Sequence, residues 1–416
     1  MPPPRASGRS PLLLIFLTVF IDLLGFGIVI PLLPLYSRVY HASETELGLL
    51  FGCFSGMQFV FAPMWGRLSD RIGRKPVLVG GLLGTAASYV LFALAGSMPL
   101  LFVSRLCAGF FGANVSTAQA YIADVTTLEN RAKGMGLIGA AFGLGFTLGP
   151  WIGGELAGIS SRAPGFLAAG LSLAAALFGS WNLVEPPRER RSASRIFHLD
   201  QVRRAFADGR IGIVLVLSFL FIFSFSAFES MFVLFGLERF PAVFDRDGTH
   251  DVLKAAPIVG RYMGLIGILS AIIQGGLIRR LVPRFGETTL AVVGPALLAI
   301  SFLILGLAPN WSVVIVACVV MPLGFGLNNP ALQSLVSRAS PVDEQGAFLG
   351  LNQSMLSLAR MTGPLAAGVL FTARGAQVPF LAGAGVLVGS ALIAAAYRAR
   401  YGATFPRHAS VQPAEV

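Results

Sequence analysis

The sequence predicts an all-α membrane protein of twelve transmembrane helices, arranged as two parallel six-helix bundles around a central cavity. Three observations carry that prediction. Of the 416 residues, 55% are hydrophobic and only 12% are charged, about half the charge of a soluble domain. Apolar runs of about 18 residues or more recur along the chain, each able to cross a hydrocarbon layer roughly 30 Å thick. The second half of the chain also repeats landmarks of the first at a fixed spacing.

The first run, from Pro11 to Tyr36, lacks a small-residue cleavage site and is followed by more spans, so it reads as a retained helix rather than a signal peptide. The second span, near 45–65, ends at the charged decapeptide GRLSDRIGRK, Gly66 to Lys75. Breaks at charged or Gly-, Pro- and Asn-marked stretches place the next four spans near 76–96, 98–123, 133–157 and 164–184. The longest connection, 185–210, reads as a solvated linker. A short amphipathic helix around Phe197 to Phe206, lying on anionic lipid, is its alternative. Six more spans are expected near 211–236, 257–280, 288–308, 311–336, 347–372 and 377–398. The expected domains are therefore a bundle over 1–184, a cytoplasmic linker over 185–210, a second bundle over 211–398 and a cytoplasmic tail over 399–416.

Orientation follows from the cations. Of 31 lysines and arginines, 22 fall on the side that holds the N-terminus and six on the other, with Arg105, Arg261 and Arg360 inside spans. The positive-inside rule then puts both termini in the cytoplasm. The net charge of +11 is thereby topological, and no folded basic domain is present to carry a nucleic-acid contact. Cys53, Cys107 and Cys318 lie far apart within spans, and the four histidines form no cluster, so no metal is expected.

At an offset of 214, Asn114 meets Asn328, Gln119 meets Gln333, Gly136 meets Gly350, and Gly149, Pro150 and Gly154 meet Gly363, Pro364 and Gly368. The repeat covers an even number of helices, so both copies share one orientation. Parallel halves joined by a linker are a transporter architecture with its site between them. One residue off that register, Gly73 pairs with Gly286, which sets Arg67 on Arg280 and Arg71 on Arg284, but Asp70 on Pro283.

These residues resemble a known family. GRLSDRIGRK is similar to the loop signature of the major facilitator superfamily at every specified position. LFVSRLCAGFFGA around Arg105 resembles its fourth-helix motif, GAAFGLGFTLGPWIGG the fifth-helix motif of antiporters, and FIDLLGFGIVIPLLPLY and SAFESMFVLF the first and seventh helices of drug exporters. The resemblance covers essentially the whole chain and implies a twelve-span drug/proton antiporter of the tetracycline-exporter type, in a bacterial inner membrane. One departure stands out. Tetracycline exporters carry further acidic residues in the third and ninth helices, and the stretches 76–96 and 288–308 contain none.

A charge inside a span costs at least about 2.5 kcal/mol, so each one is a candidate for function. Asp22 stands about eleven residues into the first span, near mid-membrane. Desolvation set against a neighbouring cation, expected to be Arg105, can tune such a carboxylate for proton carriage. A static ion pair is the alternative. Glu229 in the seventh span is the second proton candidate, with Arg360 in the eleventh as counter-ion. Arg261, near a span end, reads as snorkelling.

Gly66, Asp70, Arg71, Gly73, Arg74 and Lys75 form a candidate conformational latch. The resemblance implies that Asp70 bonds across to the positive N-terminal end of the eleventh helix when the pump faces outward. Gly139, Gly143, Gly149, Pro150, Gly153 and Gly154 of the fifth span suit close helix approach and a bend, and the resemblance adds a sealing or hinging role. The expected cavity lining is Phe54, Gln58, Asn114, Phe142, Phe146, Phe225, Phe228, Gln274, Asn328, Asn329 and Gln353, aromatic walls with a few amides that suit amphipathic, often cationic molecules.

The chain holds no Gly-x-Ser-x-Gly, Cys-x-x-Cys, His-Glu-x-x-His or P-loop sequence. Neither an enzyme nor an ATP-driven pump is therefore expected, no cofactor is required, and an ion gradient supplies the energy. The reading is a monomeric proton-coupled exporter whose partners are a small-molecule substrate, protons and lipid, with no nucleic acid. A sugar, siderophore or other metabolite transporter on the same scaffold is the second reading, and a non-transporting membrane receptor the third.

Overall fold

The computed structural model describes residues 11–112, 114–126, 128–186, 199–244, 252–341 and 345–402. Twelve helices among them are long and apolar enough to cross a membrane: Pro11–Val39, Glu44–Ile72, Arg74–Ala93, Met98–Val125, Leu137–Ile159, Ala163–Asn182, Gly209–Arg239, Val252–Phe285, Glu287–Leu307, Trp311–Ala339, Ala347–Arg374 and Val378–Tyr401. All twelve expected spans are found.

Several helices run past the expected hydrophobic limits at their cationic ends. Most of GRLSDRIGRK is helical: the second span continues to Ile72 and the third begins at Arg74. The whole connection is Gly73, whose φ of 113° lies where a side chain is strained. Its repeat mate Gly286, with φ 78°, breaks the chain between the eighth and ninth spans in the same way. A second difference concerns 185–210, expected as plain linker. Leu199–Ala207 is a helix, with Ala205 fully buried and its carbonyl facing Gly212. The arginines of 188–196 lie outside the described residues.

The chain forms two compact units. The first comprises Met1–Tyr36, Gly56–Ile196 and Leu253–Gly264. In it the first span packs on the fifth and sixth, and the third on the fourth and sixth. Its core includes Ile15, Val19, Leu23, Leu78, Leu82, Tyr121, Ile122 and Ala141. The second unit comprises Ser37–Ser55, Phe197–Val252 and Leu265–Val416. There the seventh span packs on the eleventh and twelfth, and the ninth on the tenth and twelfth, around Val214, Leu215, Ala291, Leu335, Val336 and Tyr397. The pairings 1–5, 1–6, 3–4 and 3–6 thus recur as 7–11, 7–12, 9–10 and 9–12, the packing counterpart of the sequence repeat.

Candidate functional site

Asp22 lies in the first span and is 9% exposed. Asn114 Nδ2 donates to its Oδ2 at 3.1 Å, and Ser172 Oγ donates to its Oδ1 at 3.2 Å. Asn114 Nδ2 also reaches Thr85 Oγ1 at 3.4 Å. Groups from the fourth and sixth spans therefore meet the first at one carboxylate, and the third joins the cluster through Asn114. Gly81 permits the meeting, because a Cβ there would run into the Asn114 amide oxygen. Arg105, only 1% exposed, holds its guanidinium 5.1 Å from the Phe92 ring centre and 5.8 Å from that of Tyr89. Tyr89 is within electrostatic reach of both Asp22 and Arg105. The hydrogen-bond donors to Asp22 are thus an amide and a hydroxyl rather than the expected arginine. A proton can settle on such a carboxylate without breaking an ion pair.

Glu229 and Arg360 are half-buried and within electrostatic reach of each other across the seventh and eleventh spans. Beside Glu229 runs an aromatic ladder. Phe225 lies tilted against Phe325 with centres 4.4 Å apart, Phe221 stacks on Phe325 at 5.9 Å, and buried Phe228 lies 4.6 Å from Phe232. In the other unit, Phe142 stacks on Phe146 at 6.2 Å, and Phe146 meets Phe26 edge-on at 5.7 Å.

Of the expected amides, Gln58 donates Nε2 to the Gly112 carbonyl at 2.8 Å, while Gln274 and Asn329 are half-buried and Gln353 is exposed. Phe54 is half-buried. Asn114 and Asn328 are 4% and 0% exposed, each inside its own unit. Asn328 sits against Gly294 as Asn114 sits against Gly81.

At the cationic turn, Asp70 pairs with Arg74 at 2.7 Å. Arg74 Nε also donates to Asp124 at 2.8 Å, and its Nη1 to Ser69 Oγ at 2.6 Å. The Glu185 carboxylate takes the backbone N–H groups of Arg74 at 2.6 Å and Lys75 at 2.9 Å, so an anion caps the positive start of the third span. A Cβ on Gly73 would lie 2.6 Å from that carboxylate, a second reason for glycine there. Gly66 has open space about it, and Arg71 is exposed.

The fifth-span motif divides into two faces. Gly145, Gly149 and Gly153 press on the first span: a Cβ on Gly149 would lie 2.5 Å from the Gly27 carbonyl carbon, and one on Gly145 2.9 Å from the Leu23 oxygen. Gly154 and the Pro150 carbonyl face the eighth span at Ala256 and Gly260; a Cβ on Gly260 would lie 2.5 Å from the Pro150 oxygen. Gly139 and Gly143 border open space and belong to neither seam. In the second unit Gly48 and Gly52 pack in the same manner on Pro364 and Met361 of the eleventh span.

Residues 15–361 and 262–414 match the family model described as Major Facilitator Superfamily. The chain belongs to the Major Facilitator Superfamily. It is 32% identical over 373 residues to the class C tetracycline resistance protein of Escherichia coli, covering 88% of this chain and 91% of that one. It is also 32% identical over 365 residues to multidrug resistance protein 1 of Bacillus subtilis (strain 168), covering 86% and 89%. Among solved structures, the human organic anion transporter MFSD10 aligns with a TM-score of 0.71 at 27% identity over 92% of this chain and 98% of that one. The protein is a multi-pass membrane transporter and not an enzyme.

For a member of the Major Facilitator Superfamily, several partners here were not foreseen from sequence. Ser172, Thr85 and Asp124 come from helices distant in the chain and Glu185 from the stretch after the sixth span, and spacing gives no hint of them. Glu287 opens the ninth span, one residue before the expected start; it is 4% exposed and bonded to Arg338 at 2.7 Å. That span therefore does carry a carboxylate, at its cationic end. Arg261 grips Glu155, Nε to Oε1 at 2.7 Å and Nη2 to Oε2 at 3.3 Å. Glu155 directly follows Gly154 in sequence, which was the available signal. Both side chains are well exposed, at 66% and 40%, and exposed pairs are screened by water. Glu155→Gln is accordingly expected to leave the melting temperature of detergent-solubilised protein unchanged, and a clear drop on a thermal ramp would show that the pair is structural.

Proposed function

We propose that this chain exports amphipathic small molecules in exchange for protons, by alternating access between two six-span bundles, 1–184 and 211–398. The observation that carries the reading is Asp22, buried in a span and hydrogen-bonded by Asn114 and Ser172 from two other spans. A proton arriving from outside neutralises the carboxylate. Its hydrogen bonds to the fourth and sixth spans then weaken, and the balance between the two access states shifts. Glu229 with Arg360 is the second proton station or the binding point for a substrate cation.

Relatives named for multidrug and for tetracycline resistance are equally similar here. The third span carries no carboxylate, and the Glu287 carboxylate is committed to Arg338 and Ser334, which supports the broader amphipathic class. The half-buried rings of Phe225 and Phe325 offer faces for apolar and cationic molecules. The lysine and arginine bias supports cytoplasmic termini, and the bacterial relatives support an inner membrane, where the protein acts as a monomer and without nucleic acid. Close packing of the second span on the eleventh, and of the fifth on the eighth, at the ends remote from the termini supports a gate there.

A susceptibility panel in an efflux-deficient bacterial host tests the class. Raised tolerance to several amphipathic, cationic dyes or drugs is expected, and no change for any compound would count against export. The latch completes the cycle: Asp70, paired with Arg74 here, exchanges that partner for the N-terminal end of the eleventh helix when the pump faces outward. Asp70→Asn should lower the initial transport rate in proteoliposomes while ligand affinity and melting temperature stay close to wild type. An unaltered rate would remove the latch from the account.

A further inference from the structure

The end of the eighth span carries a feature that the transport cycle does not use. Residues 273–277 form a π-helical turn, and Ile278–Phe285 continues as a short helix bearing Arg279, Arg280 and Arg284, all exposed. Beside this helix lies an open cavity of about 390 Å³ lined by Ile278, Arg279, Val282, Pro283, Pro330 and Ala331 together with Glu287 and Ser334. The lining is chiefly apolar, with one guanidinium, one hydroxyl and one carboxylate. That carboxylate, Glu287, accepts hydrogen bonds from Arg338 at 2.7 Å and Ser334 at 3.1 Å, so its charge is met from within the protein.

Two neighbouring faces of one helix thus differ in chemistry. The face 278, 279, 282 and 283 opens on the cavity, while Arg280 and Arg284, one turn apart, stand beside it, with the Arg284 guanidinium 5.4 Å from the Phe285 ring centre. Exposed Ile272, Leu277 and Phe285 supply an apolar flank. A free phosphate has no use for an apolar cavity, and a cationic amphiphile would meet three arginines. Charge and shape together fit an anionic amphiphile.

We propose that this cleft at the cationic ends of the eighth, ninth and tenth spans is a binding site for an anionic phospholipid. The headgroup phosphate bonds to Arg279 with Arg280 and Arg284 close by, and the upper acyl chain enters the cavity between Val282, Pro283 and Pro330. The inference rests on the reading that the cationic ends face the cytoplasmic leaflet, but not on which solute is exported.

The test is native mass spectrometry of purified protein equilibrated with a mixture of cardiolipin and phosphatidylethanolamine. Wild type should retain one cardiolipin in preference to phosphatidylethanolamine. The triple variant R279Q/R280Q/R284Q should lose that preference, by roughly five-fold per arginine removed. Ile278→Trp, which fills the cavity and keeps every charge, should lose it as well. Val282→Trp serves if Ile278→Trp does not yield folded protein. R398Q/R400Q, at the cationic end of the twelfth span and outside the cleft lining, should retain it. Equal loss in R398Q/R400Q would show a diffuse charge effect and overturn the site. Retention by the cavity-filled variants, by the triple variant, or no preference in wild type would overturn it too.

Discussion

Asp22→Asn is expected to abolish proton-driven transport while leaving a folded protein. Asparagine matches the carboxylate in size, and its oxygen can still accept from Ser172 or Asn114, so the structural loss is confined to about one hydrogen bond, or roughly 1 kcal/mol. The functional loss is of another order. The amide takes up no proton at any working pH, so the four-span cluster of Asp22, Thr85, Asn114 and Ser172 is fixed in one state of charge. Uptake of a fluorescent substrate into inside-out vesicles under an imposed pH gradient should fall to background, while binding of that substrate and the melting temperature remain. Wild-type uptake by the mutant would strike Asp22 from the mechanism and leave Glu229 as the carrier.

Gly154→Val is expected to produce the second large effect, by a steric route. A Cβ at 154 would collide with the Ala256 carbonyl oxygen and lie 2.9 Å from the Gly260 Cα, both backbone atoms of the eighth span that cannot rotate away. Valine then forces the fifth and eighth spans apart at the end remote from the termini, where Gly260 and Pro150 already touch. Overpacking of this kind costs about 1–3 kcal/mol. If the whole cost falls on the state in which these ends meet, its population drops roughly 5- to 150-fold, and transport falls with it. Gly143→Ala is the control: Gly143 borders open space, so a methyl group there meets nothing, and alanine gains up to about 1 kcal/mol in helix preference. Initial efflux rates of the two variants, normalised to membrane protein level, check the contrast, and equal rates would contradict it.

The architecture was legible in the sequence because hydrophobic runs and charge bias act one residue at a time. Membrane thickness sets the spans, cations mark their ends, and the constant offset between Asn114 and Asn328 betrays the duplication before any contact is known. Gly73 and Gly286 show how far this reaches. Their alignment foresees a shared role, and both turn out to be one-residue helix breaks with positive φ. Side-chain partnerships are a different matter. Asp22 was a visible candidate because a charge in an apolar run is conspicuous. Its donors Asn114 and Ser172 are 92 and 150 residues away, and helix rotation alone decides that they, and not Arg105, reach it. Glycine roles were half legible. The motif foretold close packing, but only the structure separates Gly149 and Gly153 on the first span from Gly154 on the eighth, and leaves Gly139 and Gly143 in the open. Helix limits misled where polar residues continue a helix, as between Gly66 and Ile72, and this hid Glu287 at the start of the ninth span.

The central claim is that Asp22 exchanges a proton when substrate binds. The direct measurement is the pH change on adding substrate to concentrated, detergent-solubilised protein in weakly buffered solution. Wild type should release protons in a saturable way, and Asp22→Asn should release none while still binding the substrate. Proton release of equal size from both proteins, or none from a wild type that binds, would contradict the account.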